Sequence, residues 1–241
     1  MKKNSEFMIS DLITQLKTET RLSHILNIME KLGNIKEVNP IHVENIDYSI
    51  KSILRQYKSS EIIEKLSNLL WMIHDPKCLY DELMVYLEID EMKIPTIMLI
   101  YLLQNKTDFY FDNFEYKLVE CITVETIASE GFLFFILQVI QDSIAGNKSQ
   151  LNTLIIVNKL IELTITEVKS SKNAVKILYV ILVALRMNPE LFVVANINKL
   201  HILSKSFNTI QRLVNQIYIE AKNPTKRPRT VFLKNFIFPS L

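Results

Sequence analysis

The stretch IHVENIDYSIKSILRQYKSSEIIEKLSNLLWMIH, residues 41–74, decides the fold class. In its first half Val43, Ile46, Ile50, Ile53, Leu54 and Tyr57 recur at helical spacing, and in its second half Ile62, Leu66, Leu69, Leu70 and Ile73 do the same. At 3.6 residues per turn each set falls on one helix face, whereas a half-buried strand would alternate every second residue. The stretch therefore reads as two amphipathic helices, 41–57 and 60–74, joined by a short bend.

The same spacing continues outward. Leu200, Leu203, Phe207, Ile210, Val214 and Ile217 form one sustained stripe, while 155–163 and 175–185 are apolar nearly all round, the mark of helices covered on several sides. The expected helices are 5–18, 20–32, 41–57, 60–74, 77–89, 94–104, 112–129, 131–145, 149–169, 172–187 and 198–221. Asn39-Pro40, Asp75-Pro76 and Asn188-Pro189 each set a capping residue before a proline at the first helical position. Asp112 with Glu115 resembles a capping box, and Pro95 is expected to start a helix, where its missing N–H costs nothing. Glycine occurs only at positions 33, 131 and 146, each at a break in the helical pattern. That is too few for most phosphate-cradling loops, hairpins or doubly wound crossovers.

These features predict an all-α protein: a right-handed stack of antiparallel helix pairs around one elongated core, an armadillo/HEAT-like superhelix without a fixed sequence period. Residues 1–106 would form an N-terminal helical subdomain and 107–221 a stack continuous with it, with TDFYFD at 107–112 as the loop between. Residues 222–241 would be an extended tail, basic and then apolar. Cys78 and Cys121 lie far apart, so a reducing compartment is expected rather than a disulfide framework. The first residues lead into an amphipathic pattern unlike a signal peptide, and the longest apolar run, 177–185, is far short of the roughly 18 residues of a membrane span. A cytoplasmic or nuclear, non-secreted protein without a membrane span is expected.

Formal charge is +2. Lys222, Lys226, Arg227, Arg229 and Lys234 close the chain without an acid, so acids outnumber bases in the remaining body. A broad nucleic-acid surface would make the body basic; here a weak phosphate contact, or an import signal, falls to Lys226, Arg227 and Arg229. A solubilising linker accounts equally well for them. Phe232, Phe236 and Phe238 are too apolar to remain freely solvated, so they dock on the body or serve a partner.

Within 50–73, Ile50, Ile53, Leu54, Lys58, Glu61, Ile62, Leu66, Leu69 and Trp71 place an apolar helix, a lysine-containing bend and a second helix ending near an aromatic. With the preceding Leu22, Ile25, Leu26, Met29 and Leu32, residues 8–74 resemble the helical bundle at the N-terminus of transcription elongation factor S, shared with the integrase-binding domain of lens-epithelium-derived growth factor. The glycine-containing turn that many of those bundles carry before their third helix is missing. The resemblance implies recognition of short disordered motifs from transcription and chromatin partners at the inter-helix loops, with Lys58 and Trp71 as contact residues. Trp71 itself is expected to be largely buried.

Candidate chemistry is sparse. His74 and Cys78 are four apart and could ligate a metal, but Pro76 separates them and no second pair exists at a matching spacing; a junction histidine and a buried thiol fit better. Cys121 has no adjacent base, and His24, His42 and His201 are scattered, so no nucleophilic arrangement follows. Glu88, Asp90 and Glu91 could hold a cation or a basic peptide, but read better as a solvated helix end. Phe132, Phe134 and Phe135 read as core. No catalytic residue, cofactor or metal ligand is assigned. The expected function is a non-enzymatic scaffold or adaptor that binds a partner peptide or helix in a helical groove, with a link to the nucleus and transcription. The alternatives are a nucleic-acid-associated factor using the basic tail, or an enzyme with an unrecognised all-α site.

Overall fold

The computed structural model describes residues 2–35, 46–106, 111–145, 150–166, 171–205 and 208–222. These form α-helices and 3-10 turns, with no strand among the described residues. None of the described helices is long and apolar enough to cross a membrane. The chain divides into two compact units, Met1–Phe114 and Glu115–Leu241.

In the first unit the helices are α1 (Lys2–Thr18), α2 (Leu22–Gly33), α3 (Asp47–Gln56), α4 (Ser60–Ser67), α5 (Tyr80–Leu87) and α6 (Lys93–Lys106). Each turns its apolar stripe inward: Ile25, Ile28, Met29 and Leu32 of α2, Ile50, Ile53 and Leu54 of α3, and Ile62, Ile63 and Leu66 of α4 are buried. Helix α2 packs on α1 and α4, α4 on α6, α6 on α5, and α5 on α3. Neighbours two apart in sequence thus touch: α2 with α4, α4 with α6, and α3 with α5. Gly33 closes α2 with no positive φ, so it is not a left-handed C-cap. Its role is steric: a Cβ there would lie 3.0 Å from Cβ of Asn68, the residue that caps α4.

The second unit contains α7 (Phe114–Cys121, whose first residue closes the first unit), α8 (Val124–Ile127), α9 (Glu130–Ala145), α10 (Gln150–Thr166), α11 (Ser171–Met187), α12 (Leu191–Val194) and α13 (Asn208–Lys222). Helix α11 is central, buried from Ala174 through Leu185 except at Tyr179, and it packs on α9, α10 and α13. The all-round apolar pattern of 175–185 had indicated as much. Helix α10 packs on α9 and on a long 3-10 segment, Ile197–Lys205, which also lies against α13. Two ion pairs staple α11 to its neighbours: Lys176 to Glu130 of α9, and Arg186 to Glu220 of α13.

Several expected helices are interrupted. The 60–74 helix stops at Ser67, and Leu70–Met72 is a 3-10 turn, so Trp71 lies on a turn and is half-buried rather than enclosed. The 77–89 helix divides into a 3-10 turn, Pro76–Leu79, and α5; Asp75 still caps it, its carboxylate accepting the Lys77 N–H at 3.0 Å. Asn188 likewise accepts from the Glu190 N–H at 3.3 Å. The helix carrying Pro95 begins earlier, at Lys93, and Pro95 sits in its first turn, where backbone N–H groups lack intrahelical partners. The 112–129 helix divides into α7 and α8. Asp112 lies in the turn before α7, where Asn113 takes φ 60, and the capping box occurs instead at Thr123 and Thr126, whose hydroxyls each accept the other's backbone N–H. The 198–221 stripe divides into the 3-10 segment and α13. Phe134 is 37% exposed, whereas Phe132 and Phe135 are core. The Asn39-Pro40 cap, Val43, Phe207 and most of the 107–112 loop lie outside the described residues.

Candidate partner-binding site

The polar run Glu19-Thr20-Arg21 separates the stripes of α1 and α2, and it folds around one carboxylate. Glu19 accepts the backbone N–H groups of Thr20 and Arg21, each at 2.9 Å, and Nε of Arg21 at 3.3 Å. These donors favour the charged form, and the Glu19 carboxyl is pulled down to about 2, first by the Arg21 backbone N–H and next by its guanidinium. Nδ1 of His24 lies 2.7 Å from Nη2 of Arg21 and 3.0 Å from Oε2 of Glu19. The two contacts require opposite states of that nitrogen. Unprotonated, it accepts from Arg21; protonated, it donates to Glu19.

Beside this loop an open groove of about 250 Å³ runs between α1 and α2, lined by Gln15, Thr18, Glu19, His24, Asn27, Ile28 and Lys31. Its walls offer donors and acceptors of both charges, and Ile28, itself buried, supplies apolar surface. Lys31 has no ion-pair partner among the described residues, whereas the neighbouring Glu30 pairs with Lys65 at 3.0 Å.

The bend at Tyr57-Lys58-Ser59 meets this corner. The Tyr57 hydroxyl donates to the Thr20 carbonyl, tying the α3–α4 bend to the α1–α2 loop. Lys58 folds back, its ammonium donating to the Leu54 carbonyl at 2.9 Å and lying 4.8 Å from the Tyr86 ring centroid. Leu54 O is one of the last-turn carbonyls of α3 that a helix cannot satisfy itself. Tyr86 of α5 shares its single hydroxyl proton between that carbonyl, at 3.2 Å, and the Tyr57 carbonyl. Burial, above all, pushes the Tyr86 phenol up to about 12, so it stays protonated and able to donate.

Of the partner residues expected from sequence, Lys58 thus sits at this corner, on an exposed bend with its amine engaged. Trp71 lies past the other end of α4, on the turn that packs against α6; its indole nitrogen is buried with no acceptor among the described residues. Lys226, Arg227, Arg229, Phe232, Phe236 and Phe238 lie outside the described residues. Glu19, Arg21 and Tyr86 were not singled out from sequence, and Tyr57 was read only as part of an apolar stripe. For the first two the one local signal was a polar break between stripes; for the hydroxyl contacts of the tyrosines there was none.

A second polar cluster holds the turn after Trp71. Buried Asp47 accepts the backbone N–H groups of His74, at 3.2 Å, and Asp75, at 2.6 Å. Burial, then the charges of Asp47 and Asp75, push the Cys78 thiol up to about 11. Lys106, its pKa lowered by burial, donates to the Ile73 carbonyl at 3.2 Å. The Asp47 carboxylate is spent on backbone, Cys78 is a poor thiolate, and no group of three or more candidate metal ligands occurs among the described residues. At the acidic helix end, Asp90 pairs with Lys93 at 2.6 Å. Neither a family model, nor a curated protein, nor a solved structure matches this chain.

Proposed function

We propose that the chain is a non-enzymatic interaction protein whose helices stack in armadillo/HEAT fashion and whose partner, a short peptide or a helix, lies in an inter-helix groove. Contacts between helices two apart in sequence support the stacking: α2 with α4, α4 with α6, α3 with α5, α9 with α11, and α11 with α13. A stack of helical hairpins produces such layers, because each helix meets its counterpart in the next pair. A nuclear, transcription-linked role rests on the bundle resemblance alone.

One observation carries the site. The α1–α2 loop and the α3–α4 bend, joined by Tyr57 and Thr20, meet beside an open groove lined by the exposed Asn27 amide and by Lys31, which has no ion-pair partner among the described residues. Inter-helix loops are where the resemblance implies that motifs dock. A groove of mixed polarity with some apolar surface fits an extended peptide that supplies a carboxylate for Lys31 and an apolar side chain near Ile28. Selection of displayed random peptides on the full chain tests this. A recurring motif with an acidic residue should be enriched and should lose binding to a Lys31→Glu/Gln15→Ala variant. Enrichment of no motif, or undiminished binding to that variant, would remove the groove from consideration.

A further inference from the structure

Glu19 uses its two carboxylate oxygens differently. Oε1 accepts the Thr20 and Arg21 backbone N–H groups and Nε of Arg21, so it is committed to the shape of the α1–α2 loop. Oε2 meets side-chain donors only: Nη2 of Arg21 at 3.4 Å and Nδ1 of His24 at 3.0 Å. That nitrogen is in turn 2.7 Å from the same Nη2, so the three atoms close a triangle, and one proton decides which of its sides are hydrogen bonds. Arginine only donates, so the short contact to Nη2 selects the neutral ring with its proton on Nε2 and a bare Nδ1. A proton on Nδ1 reverses this: the ring donates to Oε2 and no longer accepts from Nη2. The imidazolium and the guanidinium are then like charges in contact, and their repulsion drives Nη2 away. The loop need not change, because the contacts of Oε1 stand outside the exchange.

The surroundings leave that proton uncompensated. Besides His24, the charged residues lining the groove are Glu19 and Lys31, one of each sign. From α1 the lining takes Gln15 and Thr18, while Asp11 and Lys17 stay outside it, Asp11 accepting from Gln15 at 2.8 Å. Glu61, Glu64 and Lys65 of α4 are outside it as well, Lys65 being paired with Glu30. At the α3–α4 bend the Tyr57 hydroxyl is held by the Thr20 carbonyl and the Lys58 ammonium by the Leu54 carbonyl. His24 is half-exposed, and imidazole is the side chain whose ordinary charge change falls between pH 5 and 8. The Glu19 carboxyl, held down to about 2, stays charged throughout that range.

We infer that His24 is a proton switch on the wall of this groove: gaining a proton moves Nδ1 from Arg21 to Glu19, releases Nη2 of Arg21 and adds one positive charge to the lining. Only the consequence for binding, tighter capture of an acidic peptide at lower pH, rests on the proposed groove reading; the exchange itself belongs to the free chain.

Nuclear magnetic resonance of the isotope-labelled full chain follows the His24 ring nitrogens and the Arg21 guanidinium carbon from pH 8 to 5.5, each assigned by its absence from a His24→Gln or Arg21→Lys variant. Both side chains are exposed, so the variants should melt with the parent. At pH 8 the ring should carry its proton on Nε2. The Arg21 carbon should then shift along the His24 titration curve, and stay still over the same range in His24→Gln. A neutral ring protonated on Nδ1, or an Arg21 signal that ignores the His24 titration, would overturn the switch. Calorimetry with an acidic peptide selected on the full chain reads the consequence. Its carboxylates stay ionised over this range, so affinity should rise about three-fold between pH 8 and 5.5, the scale of one exposed charge pair, and should stay level in His24→Gln. A level affinity in the parent, or an equal rise in His24→Gln, would overturn the role of His24 in binding. If selection returns no peptide, the groove reading falls, and the Arg21 response in the free chain still decides the switch.

Discussion

Replacing Tyr86 by Phe and Lys58 by Met, singly and together, probes the joint that closes the α3–α4 bend. Both side chains donate to the Leu54 carbonyl, Lys58 at 2.9 Å and Tyr86 at 3.2 Å, and Tyr86 shares its one proton between that acceptor and the Tyr57 carbonyl. Tyr86→Phe leaves the buried ring in place and strips only the hydroxyl, so no cavity forms. The cost is the orphaned Tyr57 acceptor, which is partly buried and should fall in the lower half of the range for an unmet group, about 1–2 kcal/mol. Lys58→Met keeps the aliphatic stem but loses the cation over the ring and one donor, for about 0.5–1 kcal/mol at this exposed position. Each single variant leaves Leu54 O one donor; the double variant leaves it none. The double variant should therefore exceed the sum of the singles by about 1 kcal/mol, the cost of one unsatisfied acceptor. The cation–ring contact survives with Phe and cancels in the cycle. Urea unfolding followed by fluorescence of Trp71, the single tryptophan, reports on the unit that contains the joint. Additivity within about 0.3 kcal/mol would refute the shared-carbonyl reasoning, because independent sites add to that precision.

Gly33→Ala should destabilise by about 1 kcal/mol despite alanine's better helix propensity, because its Cβ would crowd Asn68 at 3.0 Å; an Asn68→Gly background should abolish the penalty in thermal melts. In a Cys121→Ser protein, alkylation of Cys78 by iodoacetamide should rise with pH along a curve centred near 11. By linkage, a thiol raised in the folded state costs stability as pH climbs from its unfolded value through 11, so urea midpoints should fall over that interval. An alkylation midpoint near 8.5–9, the range of free thiols, would contradict the half-buried, acid-flanked position. Arg186→Met should cost about 2–3 kcal/mol by leaving Glu220 in a partly buried site without its partner, and Arg186→Met/Glu220→Met should recover most of it. Equal melting temperatures for the single and double variants would show the pair to be incidental.

How much of this was legible depended on the range of the interaction. Helix α11 was readable because burial on all sides writes an apolar run into 175–185, and the Asp75-Pro76 cap because capping is a local exchange between adjacent residues. The interruption after Ser67 was not, since Leu69, Leu70 and Ile73 continue a helical spacing that a 3-10 turn can also bury. The break at Thr123 went unread because its box uses threonine at the third position, where glutamate or glutamine is the usual partner. In the site, Lys58 was found through a resemblance, but what positions it comes from far along the chain. Tyr57 meets Thr20 across 37 residues and Tyr86 meets Tyr57 across 29, and no local pattern records such pairings. The histidine and cysteine four apart flank a turn, as the junction reading expected, though Cys78 is half-buried rather than buried; the turn is held by Asp47, an acid that gave no local signal.

Hydrogen–deuterium exchange of the full chain, with and without a peptide obtained by selection, tests the groove most directly. Residues 15–31 and the bend at 57–59 should slow their exchange on binding, while α5, α6 and α9 keep their free-state rates. Protection that falls elsewhere and leaves 15–31 unchanged would contradict the account, because the partner would then lie outside the α1–α2 corner.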